Sequence, residues 1–132
     1  MNTVRALVID DSRTMRSLLS RQLVALGYEV LQAEHGEEAL EVLEQAGGAV
    51  PQLATVDWNM PVMDGLTFVQ RVRSRPEWRS IALMMVTTEA EYDQIVRALA
   101  AGAHEYLIKP FTQEAFTDKL DLLGLVPVKA LA

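Results

Sequence analysis

The sequence predicts an α/β fold, a doubly wound five-stranded parallel sheet with helices on both faces, and three observations carry that prediction. Short runs rich in Val, Ile and Leu alternate five times with segments of helical periodicity. The connections between successive runs are too long for hairpins, so the strands must be joined by crossovers and lie parallel. Most of the apolar runs stop at a polar residue, as strands do at the open edge of such a sheet.

The elements follow in order along the chain. Residues 4–9 form a buried-strand run that ends abruptly at Asp10-Asp11-Ser12. Met15, Leu18, Leu19, Leu23 and Leu26 then lie on one helical stripe, closed by Gly27, whose missing Cβ suits a left-handed cap. Residues 29–33 make a second strand, and residues 37–46 a second helix with Leu40, Val42 and Leu43 as its apolar side, closed by Gly47-Gly48. Residues 53–56 make a third strand ending at Asp57. The stretch from Trp58 to Gly65 fits neither period, and residues 66–72 resume a helix that must finish before Pro76. Residues 81–86 form a fourth strand running into Thr87. A helix over 91–101 follows, with Ile95, Val96 and Leu99 on one side, then Gly102, a short strand over 106–108, Lys109-Pro110, and a last helix over 112–123. The expected organisation is one domain over 1–124 and a short apolar tail over 125–132, which can pack back on the domain, serve a partner, or be the stub of a longer chain.

Composition excludes several classes. The chain has 132 residues, 12 Lys+Arg against 18 Asp+Glu, a formal net charge of −6 and no cysteine. Thiol catalysis, a disulfide framework and a cysteine zinc site are therefore out. The acidic balance argues against broad capture of nucleic acid or of an anionic membrane, and no apolar run approaches the roughly 18 residues of a membrane span. The N-terminus lacks the pattern of a signal peptide, so a cytoplasmic location is expected; the expected state is a monomer. For 14.7 kDa, surface scaling gives a folded area of roughly 6,900 Å².

In an open doubly wound sheet, ligands sit outside the carboxyl ends of the strands where strand order reverses. The residues expected there are Asp10 and Asp11, Asp57, Thr87 and Lys109. Taken singly, each has a plainer reading: an Asp-Asp-Ser helix cap, a strand-end hydroxyl, an ordinary turn before a helix. Together they form a chemistry. Three converging carboxylates repel one another unless a cation sits among them, and a hard divalent ion such as Mg²⁺ takes oxygen ligands. With Mg²⁺ and Lys109 the formal charges nearly cancel, so an anion can be admitted. A phosphoryl group in transfer is stabilised by a metal, an ammonium and a hydroxyl, which Mg²⁺, Lys109 and Thr87 supply. One carboxylate can act as the nucleophile, and Asp57, alone after its strand, is the choice.

These residues and their surroundings carry a family resemblance over essentially the whole chain. The stretches Leu7-Val8-Ile9-Asp10-Asp11-Ser12-Arg13-Thr14-Met15-Arg16, Asp57-Trp58-Asn59-Met60-Pro61-Val62-Met63-Asp64-Gly65, Met85-Val86-Thr87 and Lys109-Pro110-Phe111 resemble those of response-regulator receiver domains, in particular the CheY-like single-domain chemotaxis regulators of flavodoxin-like fold. The resemblance implies that Asp57 is the phosphoacceptor, that Asp11, Asp57 and the Asn59 carbonyl bind Mg²⁺, and that Asp10 assists through water. It implies further that Thr87 and Lys109 contact the phosphoryl oxygens and that Tyr106 is an aromatic switch turning inward as Thr87 is drawn to the phosphate. The implied donor is a phosphohistidine on a sensor histidine kinase. The implied partner is a flagellar motor switch or other chemotaxis protein, with a phosphate sink or phosphorelay shuttle as the alternative. Tyr92, Ile95, Ala103 and Lys119 are candidate contact residues. Thr88 departs from the Ala or Gly common at its position and puts a branched side chain at the mouth of the crevice. A haloacid-dehalogenase-like phosphatase would need a D-x-D nucleophile after the first strand, and a flavodoxin-like nucleotide binder a Ser/Thr/Gly-rich loop there; Asp10-Asp11-Ser12 is neither. His35 and His104 read as surface residues, and Arg71, Arg73, Arg75 and Arg79 as a solvated helix end.

Overall fold

The computed structural model describes residues 4–125. In chain order the elements are β1 (Arg5–Ile9), α1 (Arg13–Ala25), β2 (Glu29–Ala33), α2 (Gly36–Ala46), β3 (Leu53–Val56), α3 (Gly65–Arg73), a single 3₁₀ turn (Pro76–Trp78), β4 (Ala82–Thr87), α4 (Tyr92–Ala101), β5 (Glu105–Ile108) and α5 (Gln113–Leu122). The sheet order is β2-β1-β3-β4-β5, and every neighbouring pair is parallel. The winding reverses between β1 and β3, which opens the crevice at their carboxyl ends. The accessible surface is 6928 Å², the area that its mass calls for.

Strands buried on both faces are apolar at consecutive positions, as β1 is from Ala6 to Ile9 and β3 is but for the buried Thr55. Their alternate residues feed two cores. Leu7 and Ile9 pack with Leu43, Phe68, Val72 and Ala98 from α2, α3 and α4. Ala6 and Val8 pack with Leu19 and Leu23 of α1 and with Phe116 and Leu120 of α5. Four helices are capped by side chains that satisfy free amide donors at the first turn: Ser12, His35, Asp64 and Thr112. Leu125 bonds back through its N–H to the Leu120 carbonyl and packs on the second core. The remainder of the apolar tail lies outside the described residues.

The side of α4 that faces inward differs from the expected one. Ala98 is its one fully buried residue and Ile95 is half-buried, whereas Val96 is 47% and Leu99 44% exposed. Positions 95 and 98 share the inner face, and 92, 96 and 99, spaced by four and three, form an outer stripe. The arginine cluster is also more than a solvated end. Arg73 donates to the carbonyls of Gly102 (2.9 Å), Arg79 (3.2 Å) and Ile81 (2.9 Å), tying α3 to the end of α4 and the approach to β4. Arg75 stacks over the Trp78 ring at 4.1 Å and bonds Glu44 and Glu77.

His104 is exposed as expected and His35 is half-buried, and both rings are engaged. His35 caps α2, its Nδ1 accepting from the Glu38 N–H. His104 Nδ1 accepts from the Leu83 N–H at 3.2 Å and faces the Arg73 guanidinium at 3.3 Å. Partial burial, and then the Arg73 charge, hold its pKa below the ordinary histidine value. The neutral ring is thus favoured in the fold, so its stabilising contribution is full above about pH 6.5 and is lost as pH falls through the depressed native value. Urea midpoints measured from pH 7.5 to 5 should therefore fall more steeply for the wild type than for His104→Asn, which keeps an acceptor but cannot titrate. Parallel curves would contradict this account of His104.

Candidate functional site

In-register strand ends bring the expected residues to one edge. Ile9 pairs with Val56, Val56 with Met85, and Thr87 with Ile108, so the residues that follow emerge together. The Asp57 N–H bonds the Ile9 carbonyl (3.0 Å) and the Lys109 N–H bonds the Thr87 carbonyl (2.9 Å), extending the ladder into the site. Asp10 is 1% exposed and held at every polar atom: its N–H donates to Ala33 O, its Oδ1 accepts from the Ser12 N–H at 2.8 Å, and its Oδ2 accepts from Lys109 Nζ at 2.7 Å. Ser12, and neither aspartate before it, caps α1, so the plainer reading of this stretch holds for the serine alone. Asp11 is exposed at the mouth. Carboxylate oxygens of Asp10, Asp11 and Asp57 lie within 4.8 Å of one another.

The electrostatics of this cluster are unbalanced. Lys109 Nζ stands closer to Asp10 than to Asp57 Oδ2, which is 3.5 Å away. Burial, followed by repulsion from Asp10, raises the Asp57 pKa from its ordinary value, against the lowering effects of Lys109, the Thr87 hydroxyl and the Trp58 N–H. Three carboxylates against one ammonium leave a formal excess of two negative charges. The donor atoms of the cluster are carboxylate oxygens only, which suits a hard divalent ion of the Mg²⁺ type over zinc. Asn59, two residues past Asp57 on the same loop, has its side-chain amide engaged with Glu89 Oε1.

Thr87 is fully buried, and its Oγ1 accepts from the Glu89 N–H at 3.3 Å. The Tyr106 hydroxyl donates to the Glu89 carbonyl at 2.6 Å, so the ring already lies inward and buried, whereas the resemblance has it turn inward as Thr87 is drawn to the phosphate. Burial, and then the charges of Glu89 and Asp57, push its pKa up to about 12, which keeps the phenol a donor. Thr87 and Tyr106 are therefore linked through the N–H and the carbonyl of one residue, Glu89. Of the candidate contact residues, Tyr92 is 70% exposed, Ile95 is half-buried, Lys119 pairs with Glu105 at 2.9 Å, and Ala103 is buried rather than on the surface. Ala103 packs in the first core because β5 follows at once, its residue 105 already paired with Met84.

Two residues that shape the site carry no role in the sequence reading. Gly65 donates its N–H to the Trp58 carbonyl at 2.8 Å, and a Cβ there would lie 2.2 Å from the Asp57 carbonyl oxygen. An Asp-Gly pair ahead of a helix is the signal that could have marked it. Arg16 donates from Nη1 to the Asp10 carbonyl at 2.8 Å. Trp58 itself is buried, with the Arg97 guanidinium of α4 at 5.9 Å from its ring.

Comparison with known proteins shows the family and the fold. The family described as response regulator receiver domain matches residues 6–121. The chain is 43% identical over 121 residues to the chemotaxis protein CheY1 of Helicobacter pylori, covering 91% of this chain and 96% of that protein. It is 41% identical over 123 residues to a chemotaxis protein CheY homolog of Campylobacter jejuni, covering 92% and 93%. Among solved structures, chemotaxis protein CheY4 of Vibrio cholerae superposes with a TM-score of 0.82 at 35% identity, over 92% of this chain and 98% of that one. Among the described residues, no helix is long and apolar enough to cross a membrane.

Proposed function

The chain belongs to the response-regulator receiver domain family, a family of signalling domains, and on that premise we propose that it is a phosphorylation-driven switch in chemotaxis, with Asp57 as phosphoacceptor. The observation that carries the proposal is the convergence of Asp10, Asp11 and Asp57 within 4.8 Å, with Lys109 bridging two of them and Thr87 at the next strand end. The donor is a phosphohistidine of a sensor histidine kinase in the cytoplasm. A carboxylate oxygen of Asp57 forms the new P–O bond as the P–N bond breaks, and the imidazole nitrogen leaves with the electron pair and takes up a proton. Asp11, Asp57 and the Asn59 carbonyl, with Asp10 assisting through water, would hold Mg²⁺, which would supply charge neutralisation for the incoming phosphoryl group. Lys109 leaves part of its hold on Asp10 to meet a phosphoryl oxygen, and the Thr87 hydroxyl donates to another.

Output follows from the link through Glu89. Thr87 and Tyr106 meet at Glu89, so drawing the Thr87 hydroxyl to the phosphate shifts the loop whose carbonyl receives the inward ring, and the phosphorylated state is the one that keeps Tyr106 inward. Moving a two-state element from 1:99 to 99:1 takes about 5.5 kcal/mol, and two new charge-assisted bonds of roughly 1.5–3 kcal/mol each are of that order. The target contacts the neighbouring face of α4, β5 and α5, on which Tyr92, Val96, Leu99 and Ile108 are exposed. That exposed apolar stripe favours a protein target, such as a flagellar motor switch protein, over a pure phosphate sink.

A pull-down with motor switch protein, with and without acetyl phosphate and MgCl₂, tests the proposal. Binding should rise with the phosphodonor in the wild type and stay basal in Asp57→Asn. Binding that ignores the phosphodonor would contradict a switch, and no binding in either state would point to the sink or shuttle.

A further inference from the structure

α1 turns one charged side chain towards the sheet. Arg16 stands with Leu19, Ser20 and Leu23 on the buried side of that helix and is 9% exposed, where an aliphatic residue would pack without a desolvation cost. Its Nη1 donates to the main-chain carbonyl of Asp10 at 2.8 Å, and its Nη2 lies 3.6 Å from Glu34 Oε1, just past the end of β2. The carbonyl it holds belongs to the peptide joining Asp10 to Asp11. Because a peptide unit is rigid, fixing that oxygen fixes the plane from which Asp11 departs. Every other polar atom of Asp10 is held by Ala33, Ser12 or Lys109; Arg16 governs the exit towards Asp11.

We propose that Arg16 is a positioning residue for the divalent-cation site, aiming the exposed Asp11 carboxylate at the cluster by clamping the Asp10–Asp11 peptide, with Glu34 steadying the clamp. The proposal rests on the receiver reading of the site. Charge and position make opposite predictions here. As a mere cation beside an acidic cluster, Arg16 opposes the binding of another cation, so its removal would tighten metal binding. As a clamp, its removal loosens binding, because an outer partner of a metal ligand typically controls 10–100-fold in affinity.

The test is a MgCl₂ titration followed by tryptophan fluorescence, with Trp58 next to Asp57 as reporter, on wild type, Arg16→Met and Arg16→Lys, with circular dichroism confirming that each is folded. The Mg²⁺ Kd should rise about tenfold in Arg16→Met and about threefold in Arg16→Lys, whose ammonium can keep the Asp10 bond but cannot span to Glu34 as the guanidinium does. An unchanged or lower Kd in a folded variant overturns the proposal, and if Arg16→Met does not fold, Arg16→Lys decides by the same criterion. A wild type that responds to Mg²⁺ while the variants match it removes the Arg16 proposal alone; a wild type with no Mg²⁺ response removes it together with the receiver reading.

Discussion

Gly65→Ala should lower the thermal midpoint by about 10 °C and blunt phosphoryl uptake in the same molecule. The methyl group would be built 2.2 Å from the Asp57 carbonyl oxygen and 3.0 Å from the Trp58 Cα. Both neighbours are backbone, so neither can swing aside as a side-chain tip could. The loop from β3 to α3 must open, which breaks the Gly65 N–H bond to Trp58 and moves the peptide that carries the acceptor. Overpacking of a well-packed site costs about 3 kcal/mol at the upper end of its usual range, and each kcal/mol shifts a domain of this size by roughly 4 °C. Differential scanning fluorimetry and the rate of labelling by acetyl phosphate check the two halves of the prediction. A variant with wild-type midpoint and rate would show that the loop has room the structure does not give it.

Lys109→Gln should slow phosphorylation by acetyl phosphate about 100-fold while leaving Mg²⁺ binding intact or tighter. The ammonium sits 2.7 Å from Asp10 and 3.5 Å from Asp57, the best-placed positive side chain for charge developing on a transferring phosphoryl group. Removing one such preorganised donor typically costs 10²–10³ in rate. It also removes the positive charge that competes with a divalent ion for the carboxylates, so the metal should hold at least as well. Stopped-flow tryptophan fluorescence resolves the two steps, with the Mg²⁺ amplitude recorded before the phosphodonor is added. A variant that loses Mg²⁺ affinity but keeps its rate would reverse the assigned roles.

The sheet and its reactive edge were legible in the sequence because both depend on patterns that repeat. Five apolar runs, four of them reaching the site with an Asp, Thr or Lys just past their ends, define strands whose register places Asp10, Asp57, Thr87 and Lys109 side by side. What stayed hidden acts through the main chain. Arg73 holds three carbonyls, Arg16 holds one, and Gly65 is needed for a close backbone approach; a carbonyl partner leaves no mark on residue types. The rotation of α4 was hidden for a different reason. Its apolar residues cover more than half the helix circumference, so Ile95, Val96 and Leu99 could not say which side faces the core until Ala98 was seen filling the contact. The Glu89 link between Thr87 and Tyr106 likewise runs through one N–H and one carbonyl.

Intact-mass spectrometry tests the central claim most directly. Wild type and Asp57→Asn are incubated with acetyl phosphate in MgCl₂ and in EDTA. One added phosphoryl group (about 80 Da) is expected in the wild type with Mg²⁺ only, and none in Asp57→Asn. A wild type that gains no mass with Mg²⁺, or an Asp57→Asn protein that gains the same mass, would contradict the assignment of Asp57 as the metal-dependent acceptor.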